Sequence, residues 1–376
     1  MVKMLFDLNA TQPNPSGKRH GGGKYGEIVF KRMLERGINF SCFYDSRKWL
    51  NPEIKNMCEC ANISLFDING NPIESIIQKN GFTRIFSAIP RNLANLKCCE
   101  VYGTIHGLRE LEMPFDMFFF KYKHTWKELV KYTIKKFFHS SFKENYHKKF
   151  IARYKNSSFH MITVSNHSKY AIYSYFPELK DNKLSVFYSP NTSTNEKLAK
   201  ITNEKYFMLV SGNRWEKNCL RAIIAFDRMV SSGLIADGIR MKVTGATIKT
   251  YKYHIKNIHR FDFLGYVDDS ELEKLYANAY AFVYPSLNEG FGYPPIEAMR
   301  YGVPVIASPF SSIPEICGDS VLYFNPFSIE EIMNRMLMIL DETLHAKYSQ
   351  NSINQYSKVK LRQDADLDKL IDFILE

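Results

Sequence analysis

Long apolar runs are missing from this chain. Nowhere in its 376 residues do about 18 apolar residues follow one another without a break, and the short apolar start at Met1–Leu8 already carries Lys3 and Asp7. The expectation is therefore neither a signal peptide nor a membrane span, with that start forming a first buried strand. Paired cysteines are missing as well. The seven cysteines (Cys42, Cys58, Cys60, Cys98, Cys99, Cys219, Cys317) are odd in number and scattered, without C-x2-C spacing. That argues against a structural zinc site or a small disulfide scaffold and fits a reducing cytosol. Cys58 and Cys60 amount to half a metal site, with nothing nearby to complete a tetrahedron. Solenoid-length repeats and low-complexity tracts do not occur.

Acidic residues are the scarcer charge, 39 Asp and Glu against 50 Lys and Arg, so the net charge of +11 implies an anionic partner. Nucleic acid, an acidic membrane face and phosphorylated substrates all qualify, and distribution separates them. The densest basic stretch, Lys121 to Lys155, contains Lys123, Lys127, Lys131, Lys135, Lys136, Lys143, Lys148, Lys149 and Arg153. Interleaved with or just before them come Phe118, Phe119, Phe120, Tyr122, Trp126, Phe137 and Phe138. Cations mixed with amphipathic rings suit an anionic membrane surface, whereas aromatics at helical spacing also suit a domain core under solvated lysines. No nucleic-acid reader motif accompanies the charge, so nucleic acid is not expected as a partner.

What is present is an alternation of short apolar strands and helices. The length and the 45% apolar content provide for two cores. In the second half, strands are expected at 206–211, 240–244, 261–264, 281–284 and 303–307, with helices at 219–231, 270–279 and 295–301. Strands this short and apolar fit a parallel sheet covered by helices on both faces. The first half repeats the theme more loosely, with strands at 2–6, 39–44, 63–66, 84–86, 101–105 and 161–164 and a helix from about Lys24 to just before Gly37. The turn-rich Ser189–Asn195 reads as the linker.

The segment Asn288-Glu289-Gly290-Phe291-Gly292-Tyr293-Pro294-Pro295-Ile296-Glu297 directly follows the apolar run Ala281–Tyr284. A glycine-flanked turn from the carboxyl end of a parallel strand into a helix gathers free backbone N–H groups where an anion can sit. Prolines are tolerated in a first helical turn. Glu289 is expected on the loop and Glu297 in that first turn, where the helix dipole favours its ionised form. The plainer alternative is a solvated Glu289 and an ordinary helix-start acid. A second strand–loop–helix, Val210-Ser211-Gly212-Asn213-Arg214-Trp215-Glu216-Lys217, places two cations at the mouth of the same sheet, where charge-assisted hydrogen bonds can hold a diphosphate. In the first half, Gly21-Gly22-Gly23-Lys24-Tyr25-Gly26 allows a backbone to come close to a ligand, or is merely a flexible loop. His106 sits at a strand's carboxyl end, where a lone histidine has a ligand-binding or a structural role. Asp268-Asp269-Ser270 looks like an acidic metal pair but reads as a helix N-cap.

Taken together these stretches resemble family 4 of the retaining glycosyltransferases, the group 1 glycosyl transferases. The resemblance runs from the glycine-rich 21–26 and His106 through Thr163–Lys169, the 212–218 loop and Phe263-Leu264-Gly265-Tyr266-Val267 to the E-x7-E pair Glu289 and Glu297. It implies an α/β GT-B fold, two facing Rossmann-like doubly wound domains with a cleft between them. Residues 1–190 would bind acceptor, 191–352 would bind the nucleotide sugar, and 353–376 would form a C-terminal helix crossing back to the first domain. The resemblance further implies that Glu289 contacts the donor sugar's hydroxyls, Glu297 the nucleotide ribose, and Lys217 with Arg214 the diphosphate. Gly290, Phe291, Gly292 and Tyr293 would bind donor phosphate or sugar, Tyr266 and Val267 the base, Gly22 and Gly23 the cleft near phosphate and acceptor, and His106 the donor sugar. One departure stands out: the family places its arginine directly after the strand-end glycine, whereas Asn213 occupies that position here and Arg214 comes three before Lys217.

The expected reaction is hexosyl transfer from a nucleoside diphosphate sugar to a saccharide or lipid-linked saccharide acceptor in surface polysaccharide synthesis, with retention. No metal and no other cofactor is expected. The protein would be cytoplasmic, or peripheral at the inner membrane face. A non-catalytic sugar-nucleotide-binding scaffold would keep the fold and lose the chemistry; Glu289, Glu297 and Lys217 argue against it.

Overall fold

Four-residue runs such as Ala281–Tyr284 contain nothing that must face water, so each can lie in the middle of a sheet with helices on both sides. The computed structural model describes residues 3–13, 21–122, 124–180, 184–190, 198–199, 202 and 204–376. Most of the expected linker, 191–195, and residue 2 of the first strand lie outside this set. The chain forms two compact units. Unit 1 comprises residues 1–108, 141–192 and 361–376, and unit 2 comprises 109–140 and 193–360.

Unit 1 holds seven parallel strands: β1 (Met4–Asp7), β2 (Phe40–Tyr44), β3 (Leu65–Asp67), β4 (Arg84–Ser87), β5 (Glu100–Ile105), β6 (Phe159–Thr163) and β7 (Leu184–Val186), in the order β3-β2-β1-β4-β5-β6-β7. The chain reverses its direction of travel across the sheet between β1 and β4, whose register pairs Leu5 with Ile85. Rings of Phe6, Phe30, Phe40 and Phe86 interlock beneath the sheet at centroid separations of 5.4–6.0 Å. β7 was not anticipated.

The first helix, Gly21–Glu35, starts three residues ahead of the position expected near Lys24. The glycines are therefore its first turn and not a loop. Its buried face, Tyr25, Gly26, Val29, Phe30 and Met33, follows helical spacing. At Gly26 a methyl group would stand 2.9 Å from Thr11 Cγ2 and 3.1 Å from the Ala88 methyl.

Unit 2 contains β8 (Tyr206–Leu209), β9 (Arg240–Thr244), β10 (Phe261–Gly265), β11 (Ala281–Tyr284), β12 (Val305–Ala307) and β13 (Leu322–Tyr323), all parallel, in the order β10-β9-β8-β11-β12-β13. This is the doubly wound Rossmann order, with its switch point between β8 and β11. Two-residue β13 again escaped the sequence reading.

Segment 109–140 leaves β5 and packs into unit 2. Tyr122 is part of the unit 2 core, and its hydroxyl accepts from the Leu220 N–H at 2.9 Å. Asp116 forms a bidentate pair with Arg221 at 2.6 and 2.9 Å, and the Phe118 ring lies 3.7 Å from that guanidinium. The fork and the ring face offset part of the hydration this buried arginine loses, while its Nε finds no hydrogen-bond partner among the described residues. The C-terminal helix runs unbroken from Glu342 to Leu375. Ser349 and Ser352 bond the carbonyls of Gly302 and Val303 in unit 2, whereas Asp368 and Asp372 bind Arg32 and Arg36 in unit 1.

Candidate active site

At the switch point of unit 2 the loops after β8 and β11 come together. The β8 loop is shaped by backbone that few side chains tolerate. Ser211 (φ +56°) and Asn218 (φ +55°) are left-handed non-glycine residues bracketing it. Between them Gly212 has no room for a side chain: a Cβ would lie 2.7 Å from Val243 Cγ1 and 2.9 Å from Ala246 Cβ. The Tyr251 hydroxyl donates to the Gly212 carbonyl. One 3₁₀ turn, Trp215–Lys217, then leads into the helix Cys219–Ser231. The Leu287 N–H of the β11 loop donates to the Glu216 carbonyl at 2.9 Å, joining the two loops.

That join carries Lys217 to Glu289. The Lys217 ammonium donates to Glu289 Oε1 at 2.5 Å and to the Tyr284 hydroxyl at 3.0 Å. Tyr284 in turn donates to the same Oε1 at 2.6 Å, and the Ser286 hydroxyl donates there too. The side chains of Lys217 and Glu289 are 7% and 9% exposed, so this is a buried ion pair. Burial pushes the Glu289 carboxyl up, but the Lys217 charge and the bonds from Lys217, Ser286 and Tyr284 outweigh it and hold the group down at about 2. Burial draws the Lys217 ammonium down against the opposing pull of Glu289. Donors converge on Oε1 alone; among the described residues no bond reaches Oε2. An ionised carboxylate with one oxygen saturated can still accept hydroxyls through the other.

Arg214 lies beside this pair. Its guanidinium binds Glu216 Oε1 at 2.9 and 2.6 Å, and Arg109 from the inserted segment approaches the same oxygen at 3.5 Å. Burial raises the Glu216 carboxyl, yet the charge of Arg214 prevails and keeps it ionised. The Glu289 N–H donates to Ser311 Oγ at 2.7 Å, and Ser312 Oγ donates to the carbonyls of Glu289 and Phe291 at 3.0 and 2.8 Å. Gly290 and Phe291 are thereby held in a fixed loop. Tyr284, Ser286, Glu216, Ser311, Ser312 and Arg109 were not foreseen. Tyr284 and Ser286 flank the strand end five and three residues before Glu289, so strand-end position was the usable signal for those two.

Gly292 (φ +105°) starts the helix Tyr293–Met299 two residues earlier than expected. Glu297 is consequently its fifth residue and not a first-turn acid, because the left-handed glycine begins the helix before the prolines. Its charge acts on buried Tyr276, whose hydroxyl is pushed well above its ordinary range by burial first and by Glu297 second. Tyr266 and Val267 follow the carboxyl end of β10, with Tyr266 largely exposed. Asp268 is an N-cap, accepting from the Glu271 N–H at 2.8 Å, as expected.

The remaining candidates lie in unit 1. His106 follows β5 with Nε2 2.9 Å from the Ala88 carbonyl and its ring edge-on to Tyr25. A Cβ on Gly22 would come within 3.4 Å of that nitrogen. Both line a cavity of about 570 Å³ at the carboxyl ends of β4 and β5; Gly23 is buried in the same first helical turn.

The basic-aromatic stretch divides between its two readings. Phe119, Tyr122, Phe150 and Tyr154 are core, whereas the helix Trp126–Phe137 buries none of its residues and leaves Trp126 and Phe137 each 77% exposed. Among the described residues no helix is long and apolar enough to cross a membrane, and no cluster of His, Cys, Asp or Glu is arranged to hold a metal ion.

Two Rossmann sheets, one with a lysine–glutamate pair at its switch point, define the class. Residues 191–357, less than half of the chain, match the family model of glycosyl transferases group 1. Curated relatives include the O-antigen chain mannosyltransferase B of Escherichia coli, 48% identical over 21% of this chain and 21% of its own length. Another is the O-antigen chain mannosyltransferase RfbU of Salmonella typhimurium, 32% identical over 44% of this chain and 47% of the relative. The alignments thus span less than half of these relatives. Among solved structures, sucrose-phosphate synthase of Thermosynechococcus elongatus superposes with a TM-score of 0.67 at 13% identity, over 99% of this chain and 98% of the other. Anabaena HepE in complex with UDP-glucose gives 0.65 at 14% identity, over 100% and 99%. These likenesses carry the fold, which is GT-B.

Proposed function

We propose that this chain is a retaining glycosyltransferase. It moves a hexosyl unit from a nucleoside diphosphate sugar to a saccharide or lipid-linked saccharide acceptor in surface polysaccharide synthesis. The observation that supports this most is the buried Lys217–Glu289 pair, whose carboxylate keeps Oε2 for a ligand. An ionised Glu289 accepts hydroxyls of the donor sugar, and Glu297 accepts the ribose diol. Lys217 and Arg214 neutralise the departing diphosphate through charge-assisted hydrogen bonds, so the leaving group needs neither a metal nor another cofactor. The diphosphate takes the acceptor's proton on the face it leaves. The names of the relatives make mannose the first hexose to test.

Incubation with radiolabelled nucleoside diphosphate hexoses should release labelled product whose anomeric configuration, read by NMR, matches the donor. Lys217→Ala should lower turnover at least tenfold. A fall of less than about threefold, roughly 0.7 kcal/mol, would refute the role of Lys217.

The exposed rings of Trp126, Phe137 and Phe138 beside Lys127, Lys131 and Lys136 support a peripheral position on the anionic cytosolic membrane face. Salt-sensitive sedimentation with anionic liposomes tests it; no binding at low salt would dismiss it.

A further inference from the structure

We propose that a cavity of about 350 Å³ in unit 2 binds a sugar ring of the acceptor glycan, set back from the hydroxyl that receives the hexose. The proposal rests on the glycosyl-transfer reading and adds a saccharide subsite to it. Every residue lining the cavity belongs to unit 2, on the inserted segment 109–140 or the β8 loop. One wall is a single face of the helix Trp126–Phe137, where Glu128, Lys131, Tyr132 and Lys135 fall at i, i+3, i+4 and i+7. That helix starts in a capping box made by Thr125 and Glu128, yet it buries none of its residues. Trp215 and Glu216 also line the cavity, and Glu216 binds Arg214 at 2.6 Å, so whatever fills the space abuts the loop that carries Lys217.

The lining selects a neutral ligand rich in hydroxyls. Arg109, Lys131 and Lys135 are matched by Glu110, Glu128 and Glu216, so the balance of charge favours neither an anion nor a cation. Lys135 pairs with Glu110 at 3.0 Å, and Arg109 approaches Glu216 at 3.5 Å. Glu128 accepts the N–H and the hydroxyl of Thr125 on Oε2 at 2.7 and 2.8 Å, and among the described residues no hydrogen bond reaches its Oε1. That oxygen and the Lys131 ammonium, one helical turn apart, offer a vicinal diol an acceptor and a donor. With these polar groups come rings that fix one another. Phe119 stacks on Tyr132 at 3.7 Å, and Trp215 meets both nearly at right angles, with centroids 5.2 and 5.6 Å away. Phe115 adds its ring 5.6 Å from Tyr132. Rings packed in advance give the C–H face of a pyranose an apolar surface at little entropic cost. About 350 Å³ sits at the lower end of ligand cavities, which run from roughly 300 to 1,000 Å³, and so suits one or two sugar rings.

Trp215 is one of three tryptophans, and the other two, Trp49 and Trp126, are 47% and 77% exposed, so W49F/W126F leaves it as a single reporter in the full chain. Trisaccharides of mannose, galactose and N-acetylglucosamine are titrated against its emission with UDP or GDP at saturation. At least one should give a saturable shift, and E128Q and F115L should each weaken the binding about fivefold or more. Glutamine keeps the capping box, so E128Q decides the matter if F115L does not fold. In transfer assays the same variants should raise KM for a trisaccharide acceptor about fivefold and leave kcat nearly unchanged. No shift with any trisaccharide overturns the proposal, as does a shift that both variants leave untouched. A shift that UDP or GDP abolishes places the sugar in the donor site and also overturns it. So does displacement by inorganic phosphate, which would make the cavity an anion site. Hexosyl transfer with an unchanged acceptor KM in the variants refutes the saccharide subsite alone. A chain that moves no hexose from any nucleotide sugar, yet binds a trisaccharide through Glu128, refutes glycosyl transfer and retains the saccharide site.

Discussion

Replacing Glu289 by glutamine keeps the shape of the side chain and removes the charge that balances Lys217. The size of the effect follows from the carboxyl's environment. It titrates at about 2 in place of 4.5, and at 1.36 kcal/mol per pH unit its surroundings favour the charged form by about 3 kcal/mol. Removing one member of a buried pair costs roughly 3–5 kcal/mol by general experience, in line with that value. The second change, Lys217→Met, should restore most of the loss in the Glu289→Gln background, since a buried pair exchanged for uncharged groups is close to neutral. Two units need not unfold together, so the assay should be native-state hydrogen exchange on peptides spanning 206–231 and 281–299. A carboxyl with a lowered folded value contributes stability that is full above 4.5 and lost as pH falls from there toward 2. The deficit of the glutamine variant should thus be largest near neutrality and shrink below pH 4.5. A deficit under about 1 kcal/mol at pH 7, or a double variant as unstable as the two single losses added together, would mean that the pair is not the buried unit described.

Asp7 behaves in the opposite sense. Burial raises its carboxyl from 3.8 to about 6, so the stability it contributes is full below 3.8 and lost as pH rises through 6. Asp7→Asn should gain up to about 3 kcal/mol on wild type between pH 4 and 7.5 in unit 1 exchange; a pH-independent difference would show the acid to be solvated. Gly212→Ala should destabilise unit 2 by roughly 1–3 kcal/mol, because its methyl meets Val243 and Ala246 at 2.7 and 2.9 Å. An unchanged melting temperature would mean that the β8 loop yields freely.

What could be read along the chain was whatever is encoded locally. Apolar runs of three to six residues between helical patterns announced eleven of the thirteen strands among the described residues; β7 and the two-residue β13 escaped. Asp268 as a cap and the helix Cys219–Ser231 depend on neighbours within one turn, and both were legible. So was the glycine-framed loop carrying Glu289. The start of a helix was less so: left-handed backbone at Gly292 began the next helix early and moved Glu297 out of its first turn, and φ is not written in residue type alone.

Tertiary structure alone decided how charges separated in sequence pair. Lys217 and Glu289 are 72 positions apart, and only the adjacency of β8 and β11 in the sheet sets one against the other. The Lys121–Lys155 stretch reads as one basic run, yet its start is bound into unit 2 through Tyr122, just after Asp116 and Phe118 engage Arg221 there, and its last part supplies a cavity wall in unit 1. Local pattern specifies a strand, a turn or a cap because those depend on near neighbours. Which oxygen meets which ammonium depends on strand order, and that order is a property of the folded sheet.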